Sequence, residues 1–228
     1  KLQKVMVENR MPDIKKRILQ EARDFVYREL KDDSSGHDWW HIVRVANNAV
    51  AIAEKEGADL FICELAALLH DIADGKLNES EKAGLQKVEQ WLISHKVSES
   101  DRNHILDIIS KMSFKGGQSE AIVSSIEGKI VQDADRLDAI GAIGIARAMV
   151  YSGHTGRPIH DPGLKPRKAM TLEEYRDEKS SAIMHFYEKL LKLKDGMHTT
   201  AARELAEGRH RFLETYLEEF YDEWDARK

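Results

Sequence analysis

Four side chains of the types that bind divalent metals lie inside apolar helical patterns of this 228-residue sequence. They are two histidines and two aspartates, namely His41, His70, Asp71 and Asp135. Burying a charged group alone is costly, so such residues inside apolar stripes require a compensating partner. Imidazole and carboxylate together suit Mn²⁺, Fe²⁺, Ni²⁺, Co²⁺, Zn²⁺ or Mg²⁺. The pattern therefore indicates a mixed nitrogen and oxygen metal site with open positions for water and a phosphate oxygen.

Helical periodicity directs these side chains toward the interior. His41 shares a helix face with the apolar residue Val45 and its successors along the same stripe. His70 and Asp71 come at the end of a long apolar run, and Asp135 is flanked at helical spacing by small and apolar residues. Three helices that share one core would bring the four groups together.

Taken one at a time, each of these residues has an ordinary structural alternative. A single histidine on an apolar face is commonly a hydrogen-bonded core residue, and a His-Asp dipeptide often arises by chance. A purely structural explanation of the whole set needs several independent burials of polar groups in one core. The combination therefore favours the metal site.

The elements that must position these residues are predicted to be helical throughout. Apolar spacing predicts helices near 13–31, 39–56, 59–73, 79–95 and 98–112, and a long helical segment over 120–151. The third helix is apolar on nearly every face and is expected to be central. Residues 152–170 contain three of the four prolines and are predicted to form an ordered loop or lid, followed by C-terminal helices over 171–226. We predict one all-α domain, a compact multi-helix bundle with its core over 13–152.

Composition excludes several classes of protein. The hydrophobic fraction of 42% and charged fraction of 33% are those of an ordinary globular chain. No apolar run is long enough to span a membrane, and none resembles a signal peptide. The net charge of −5, with no basic stripe, argues against a nucleic-acid polymer as partner. Cys63 is the only cysteine, so no internal disulfide is expected, and a cytoplasmic location is predicted.

The order and spacing of these motifs resemble the HD-domain metal-dependent phosphohydrolases. His41 in His-Ile-Val-Arg-Val, the pair His70-Asp71 after an apolar run, and Asp135 in Ala-Asp-Arg-Leu resemble the H…HD…D signature of that family over roughly residues 22–147. The resemblance implies an HD-domain bundle in which these four residues hold one divalent ion, with manganese as the first choice. The chain length and C-terminal helices resemble stand-alone bacterial members, some of which hydrolyse nucleotides.

A phosphate substrate also needs a group that steers water and cations that hold the phosphate. Asp74 lies four residues after the motif histidine, where several HD hydrolases carry a catalytic acidic residue, often glutamate; hydrogen bonding at the helix end is the structural alternative. The predicted substrate contacts are Lys76, which resembles a phosphate-binding lysine of relatives, Lys115 before a Gly-Gly pair, and Arg157 in the proline-bounded loop. For each cation the alternative is a solvated surface charge.

Other polar residues near the motifs have structural interpretations. Asp38 follows a Ser-Ser-Gly break and is predicted to cap the helix that starts at the next residue. Arg44 is predicted to pair with an acidic neighbour as an alternative to contacting substrate. His95 and His104 fall where two-metal relatives place extra histidines, but their spacing fits poorly, so one metal is predicted.

The resemblance implies hydrolysis of a nucleotide phosphate bond. The favoured reaction converts a nucleoside or deoxynucleoside triphosphate to a monophosphate and pyrophosphate. Alternatives are a nucleoside monophosphate phosphatase, a guanosine alarmone hydrolase, a nucleotide sensor without turnover, and an all-α interaction module. The expected partner is a small-molecule nucleotide, and a homodimer is left open.

Overall fold

The computed structural model describes residues 12–32, 38–74, 78–112, 123–167 and 180–228. Within these ranges every regular element is an α-helix or a 3-10 helix and no strand occurs, which confirms the all-α prediction. The α-helices are α1 (Asp13–Leu30), α2 (Trp39–Glu56), α3 (Leu60–Leu69), α4 (Glu81–Ser94), α5 (Glu99–Met112), α6 (Ile126–Asp138), α7 (Gly141–His154), α8 (Ala182–Glu188) and α9 (Thr200–Trp224). The 3-10 helices are His70–Ala73, Leu190–Lys192 and Lys194–Gly196.

Helix α3 lies at the centre of the bundle, as its apolar sequence predicts. It packs against α1, α2, α5 and α6, and all its residues from Phe61 to Leu69 except Glu64 are buried. The side chain of Asp59 caps its first turn by accepting backbone hydrogen bonds. At its other end the chain tightens into the 3-10 turn His70–Ala73, which is also buried. His70 and Asp71 therefore directly follow a buried helix and lie in the core themselves.

Helix α2 runs beside α3 and α6 and begins at the predicted cap. The Asp38 carboxylate accepts a hydrogen bond of 2.9 Å from the backbone N–H of His41. The helix ends at Gly57, whose φ of 72° lies in the left-handed region that glycine adopts without strain. The cap thus fixes the start of α2 three residues before the first predicted metal ligand.

The predicted long segment over 120–151 is divided in two. Helix α6 ends at Asp138, and α7 begins at Gly141, whose φ is 75°. A Cβ atom on Gly141 would lie 3.0 Å from the Cβ of Arg209 on α9, so the small residue allows the two helices to approach closely. Helix α7 continues to His154, three residues into the range predicted as loop.

The loop after α7 is held against the C-terminal helices. Backbone N–H groups of Ala182 and Ile183 donate to the carbonyls of residues 158 and 159. Arg167 donates through its backbone and its guanidinium to the carboxylate of Glu188 on α8. These contacts join the described residues up to 167 to α8, and an ordered loop or lid over 152–170 stays a prediction. None of the described helices is long and apolar enough to cross a membrane.

The 3-10 turn His70–Ala73 is held by a tight contact with α4, and this contact can be tested. A Cβ on Gly84 would lie 2.5 Å from the carbonyl oxygen of Ala73 and 2.8 Å from its Cα. We expect Gly84→Ala to lower the free energy of unfolding by about 1–3 kcal/mol, because overpacking outweighs the better helix propensity of alanine. Thermal unfolding is the measurement.

The matched control is Gly208→Ala in the exposed part of α9. A Cβ there meets nothing within 4 Å. The free energy of unfolding of this variant should rise by about 0.5–1 kcal/mol, since alanine is the better helix former. Equal melting temperatures for Gly84→Ala and the parent protein would contradict the tight contact.

Candidate metal centre

The structure brings the four predicted ligands to one place. The His41 Nε2 atom lies 3.4 Å from Asp71 Oδ2 and 3.5 Å from Asp135 Oδ1. The His70 Nε2 atom lies 3.2 Å from Asp71 Oδ1. Ligand atoms of His41, His70 and Asp71 are all within 4.8 Å of one another, and these three residues are buried. Helix α2, the 3-10 turn after α3, and helix α6 thus supply one cluster.

The separations fit coordination of a single cation. Ligand atoms about 2.1 Å from an ion lie about 3 Å apart when they occupy adjacent positions. The Asp135 side chain is 39% exposed, unlike the His41 side chain, which has no exposed surface. The cluster is therefore enclosed on the α2 and α3 sides and open toward solvent at α6, where water or a substrate oxygen can approach.

Hydrogen bonding fixes which nitrogen of His70 is available as a ligand. The His70 Nδ1 atom is 2.8 Å from the carbonyl oxygen of Ala67, so Nδ1 carries the proton and donates it. The lone pair is then on Nε2, which is buried and has no hydrogen-bond partner among the described residues. A buried lone pair without a donor is costly, and a metal ion satisfies it. This orphaned nitrogen shows that the residues present fit a metal.

His41 is oriented in the same way by a carboxylate. Its Nδ1 lies 2.8 Å from Asp138 Oδ2, which turns Nε2 toward Asp71 and Asp135. Burial lowers the pKa of His41 below its ordinary value, although the neighbouring Asp138 and Asp71 act in the opposite direction. A lowered pKa favours the neutral imidazole, which is the form that binds metals.

Asp138 is the residue of the candidate site that sequence reasoning missed. Its carboxylate accepts hydrogen bonds from His41, from Arg44 at 2.7 and 3.0 Å, and from Arg147 at 2.9 Å. Burial alone would raise the pKa of Asp138, but the hydrogen bonds from His41 and Arg44 lower it well below the usual range. The predicted pairing of Arg44 with an acidic neighbour is confirmed. The available signal was spacing, since Asp138 lies one turn after Asp135 on the same face of α6.

The structure says less about the predicted catalytic and substrate-binding residues than about the predicted metal ligands. Asp74 follows the 3-10 turn directly, and its backbone N–H donates to the carbonyl of Asp71 at 3.0 Å. Lys76 and Lys115 lie outside the described residues. The guanidinium carbon of Arg157 lies 5.7 Å from the centre of the ring of Tyr151, which is on α7. The roles of these four residues stay predictions.

The two additional histidines are engaged elsewhere. His95 is the C-cap of α4 and its ring stacks on Trp91 at 3.9 Å. His104 faces the carboxylate of Glu127 at 3.6 Å. Neither residue belongs to the cluster that the described part of the chain forms around His41. A single metal remains the prediction.

Removal of the Asp138 charge tests its effect on His41. We expect Asp138→Asn to weaken metal binding about 10- to 100-fold, because residues that orient a metal ligand typically contribute that much. The amide also places an NH₂ group among donors from Arg44 and Arg147, which will lower stability. Metal affinity is measured by competition with a chromophoric chelator, and stability by thermal unfolding.

A second buried aspartate of α6 provides the control. Asp133 has no exposed surface and accepts hydrogen bonds from the backbone of His198 and Thr199 and from the Thr199 hydroxyl. Asp133→Asn should lower the melting temperature but leave metal affinity within about threefold, since Asp133 anchors α9. Equal metal affinities for the two variants would show that Asp138 does not act through His41.

Comparison with known proteins places this site in a family. The HD domain model matches residues 39–140, a range that contains all four predicted ligands. YpgQ of Bacillus subtilis is 46% identical over 195 residues, which cover 85% of this chain and 87% of YpgQ.

Solved structures extend the similarity to the whole bundle. The crystal structure of B. subtilis YpgQ in complex with ADP superposes with a TM-score of 0.75 and 41% identity, covering 92% of this chain and 96% of that one. An HD-superfamily hydrolase of Bacillus thuringiensis is 48% identical with a TM-score of 0.75, covering 93% and 99% of the two chains. A Lactobacillus plantarum protein gives a TM-score of 0.81 and 41% identity over 92% and 98%. The C-terminal helices are therefore shared with these relatives.

Proposed function

Because this chain belongs to the HD-domain phosphohydrolase superfamily, we propose that it hydrolyses nucleotide phosphate bonds with the help of a divalent metal. The favoured reaction splits a nucleoside or deoxynucleoside triphosphate into a monophosphate and pyrophosphate. One observation carries the proposal: two histidines, each with its Nδ1 tied to an acceptor, direct Nε2 toward a shared group of carboxylates.

The residues proposed to hold the metal are His41, His70, Asp71 and Asp135. When bound there, a divalent ion supplies Lewis acidity, polarising a phosphoryl oxygen and lowering the pKa of bound water. Manganese is the proposed ion, and the mixed imidazole and carboxylate set equally suits iron, nickel, cobalt, zinc or magnesium.

The chain itself supplies orientation and charge. The Asp138 carboxylate accepts a hydrogen bond from His41 Nδ1 and so fixes the orientation of the imidazole ring. The His41 side chain therefore needs no reorganisation when metal and substrate bind. Asp74 is proposed to steer the attacking water from its position directly after the ligand-bearing turn. Lys76, Lys115 and Arg157 are proposed to bind the phosphate oxygens, because transfer of a phosphoryl group concentrates negative charge on them.

The proposal of a nucleotide substrate has a separate support. The similar protein YpgQ has been crystallised in complex with ADP. A nucleotide is therefore proposed as the ligand of this chain as well. The preference for triphosphates over other nucleotides comes from the resemblance to stand-alone members of the family.

A nucleotide panel tests the proposed reaction. Metal-stripped protein is reconstituted with Mn²⁺ and incubated with nucleoside triphosphates, deoxynucleoside triphosphates, nucleoside monophosphates and guanosine tetraphosphate, while pyrophosphate and orthophosphate release are followed separately. We expect pyrophosphate and a monophosphate in equal amounts from the triphosphates, and no product in the presence of EDTA. Orthophosphate from monophosphates would indicate the phosphatase alternative, and nucleotide binding without product would indicate a sensor.

A further inference from the structure

Apart from the candidate metal centre, a charged cavity lies at the junction of α2, α7 and α9. Its volume is about 370 Å³, within the range of small-molecule sites. The side chains that line it and matter for its chemistry are Arg44, Asn47, Asn48, Ala142, Ile143 and Arg209. Asp138 also borders it, and this carboxylate is the group that joins the cavity to the metal centre.

Arg209 is a cation without an acidic partner. Its Nη1 donates to the carbonyl oxygen of Leu137 and its Nη2 donates to Asn48 Oδ1 at 3.2 Å, and both of these acceptors are uncharged. No ion pair joins Arg209 to a carboxylate among the described residues, and the side chain is only partly exposed. Burial lowers the pKa of Arg209, although Asp138 acts in the opposite direction. An anion in the cavity would supply the missing counter-charge.

The acidic residue of the cavity does not cancel this charge. The Asp138 side chain is only 2% exposed, and its oxygens accept hydrogen bonds from Arg44, Arg147 and His41. The cavity is lined by two arginines and only one carboxylate, and Arg147 also donates a hydrogen bond to that carboxylate. The lining is therefore positive toward solvent.

We propose that this cavity binds a phosphate group, either free or carried by a nucleotide. Guanidinium and amide N–H groups are the donors that recognise phosphate oxygens. Arg44 bonds Asp138 through Nε and Nη2, which leaves the N–H groups of its Nη1, and each terminal nitrogen of Arg209 keeps one N–H beyond its bonds to Leu137 and Asn48. The Asn47 amide also lines the cavity. The uncapped first turn of α7, a helix of 14 residues, adds backbone N–H groups at Ala142. Trp40, which is 64% exposed, lies one turn before Arg44 on the same face of α2 and offers a ring to a nucleotide base.

This site is separate from the proposed hydrolysis, because none of its donors is a proposed metal ligand. The test is calorimetric titration of the full chain in EDTA, so that no metal can recruit phosphate. Orthophosphate and ADP are the two probes, and we expect one saturable site per chain. Equal affinities for both probes assign the site to free phosphate, and at least about tenfold tighter binding of ADP assigns it to a nucleotide.

A single position on α7 gives a matched pair of variants. Ala142 is exposed in the first turn, where an acidic residue favours the helix, so Ala142→Glu should fold. Its carboxylate should weaken phosphate binding at least about tenfold by repulsion, whereas the neutral Ala142→Gln should bind like the parent protein. His70→Ala should also bind like the parent. Absence of saturable binding, equal binding by Ala142→Glu, or loss of binding in His70→Ala would each overturn the proposal.

Discussion

Replacement of His70 by alanine is expected to reduce kcat/KM for nucleotide hydrolysis about 1,000-fold or more, equivalent to about 4 kcal/mol of transition-state stabilisation. The reason is the loss of a proposed ligand whose Nε2 is buried without a hydrogen-bond partner among the described residues. The remaining groups provide one imidazole and two carboxylates, which bind a divalent ion more weakly and with a different geometry. Metal content by mass spectrometry and pyrophosphate release are the measurements. Bound metal should fall well below one ion per chain.

Two other histidines provide the controls for this variant. His95→Ala removes a ring that stacks on Trp91, and His104→Ala removes a partner of Glu127. Both variants should keep metal stoichiometry and activity within about threefold of the parent protein, because neither histidine contacts the cluster around His41. Full activity in His70→Ala would contradict the proposed ligand set. Loss of a second metal ion in the His104 variant would contradict the prediction of a single ion.

The candidate metal centre could be predicted from sequence because its proposed ligands are residues of distinctive type and spacing. His41, His70, Asp71 and Asp135 combine rare residue types with an apolar helical context, and the structure places all four within one cluster. Asp138 was missed although it lies one turn from Asp135. A residue that touches a ligand instead of the metal has no motif of its own, and its partners Arg44 and Arg147 come from separate parts of the chain.

The fold could be predicted where local apolar periodicity determines it. The central position of α3 and the cap of α2 at Asp38 follow from the sequence and are confirmed. The break between α6 and α7 was not predicted, because the small residues around Gly141 remain compatible with a continuous helix. At the break Ile140 is extended and Gly141 has a φ of 75°, and the side chain of Arg209 on α9 lies against Gly141. Such a contact joins residues distant in sequence and leaves no local pattern.

Asp74 is the position where a catalytic and a structural role can be separated most sharply. We expect Asp74→Asn to lower kcat about 100-fold, the usual contribution of a carboxylate that steers or deprotonates water. KM and metal content should change little, since Asp74 is not a proposed ligand. The end of the turn is held by main-chain groups, because the Asp74 N–H donates to Asp71 and its carbonyl accepts from Asn78 Nδ2 at 2.8 Å. The substitution leaves these backbone bonds in place and removes the charge.

Two further variants complete this comparison. Asp74→Glu keeps the charge and should retain most of kcat, because the longer arm reaches at least as far toward the ligand-bearing turn. Asn78→Ala removes both of its hydrogen bonds to the turn, at the carbonyls of Ile72 and Asp74, and should cost about 1–2 kcal/mol of stability while changing kcat less than Asp74→Asn. If Asp74→Asn instead keeps kcat and loses stability as Asn78→Ala does, the side chain belongs to the helix end and the water-steering role is wrong.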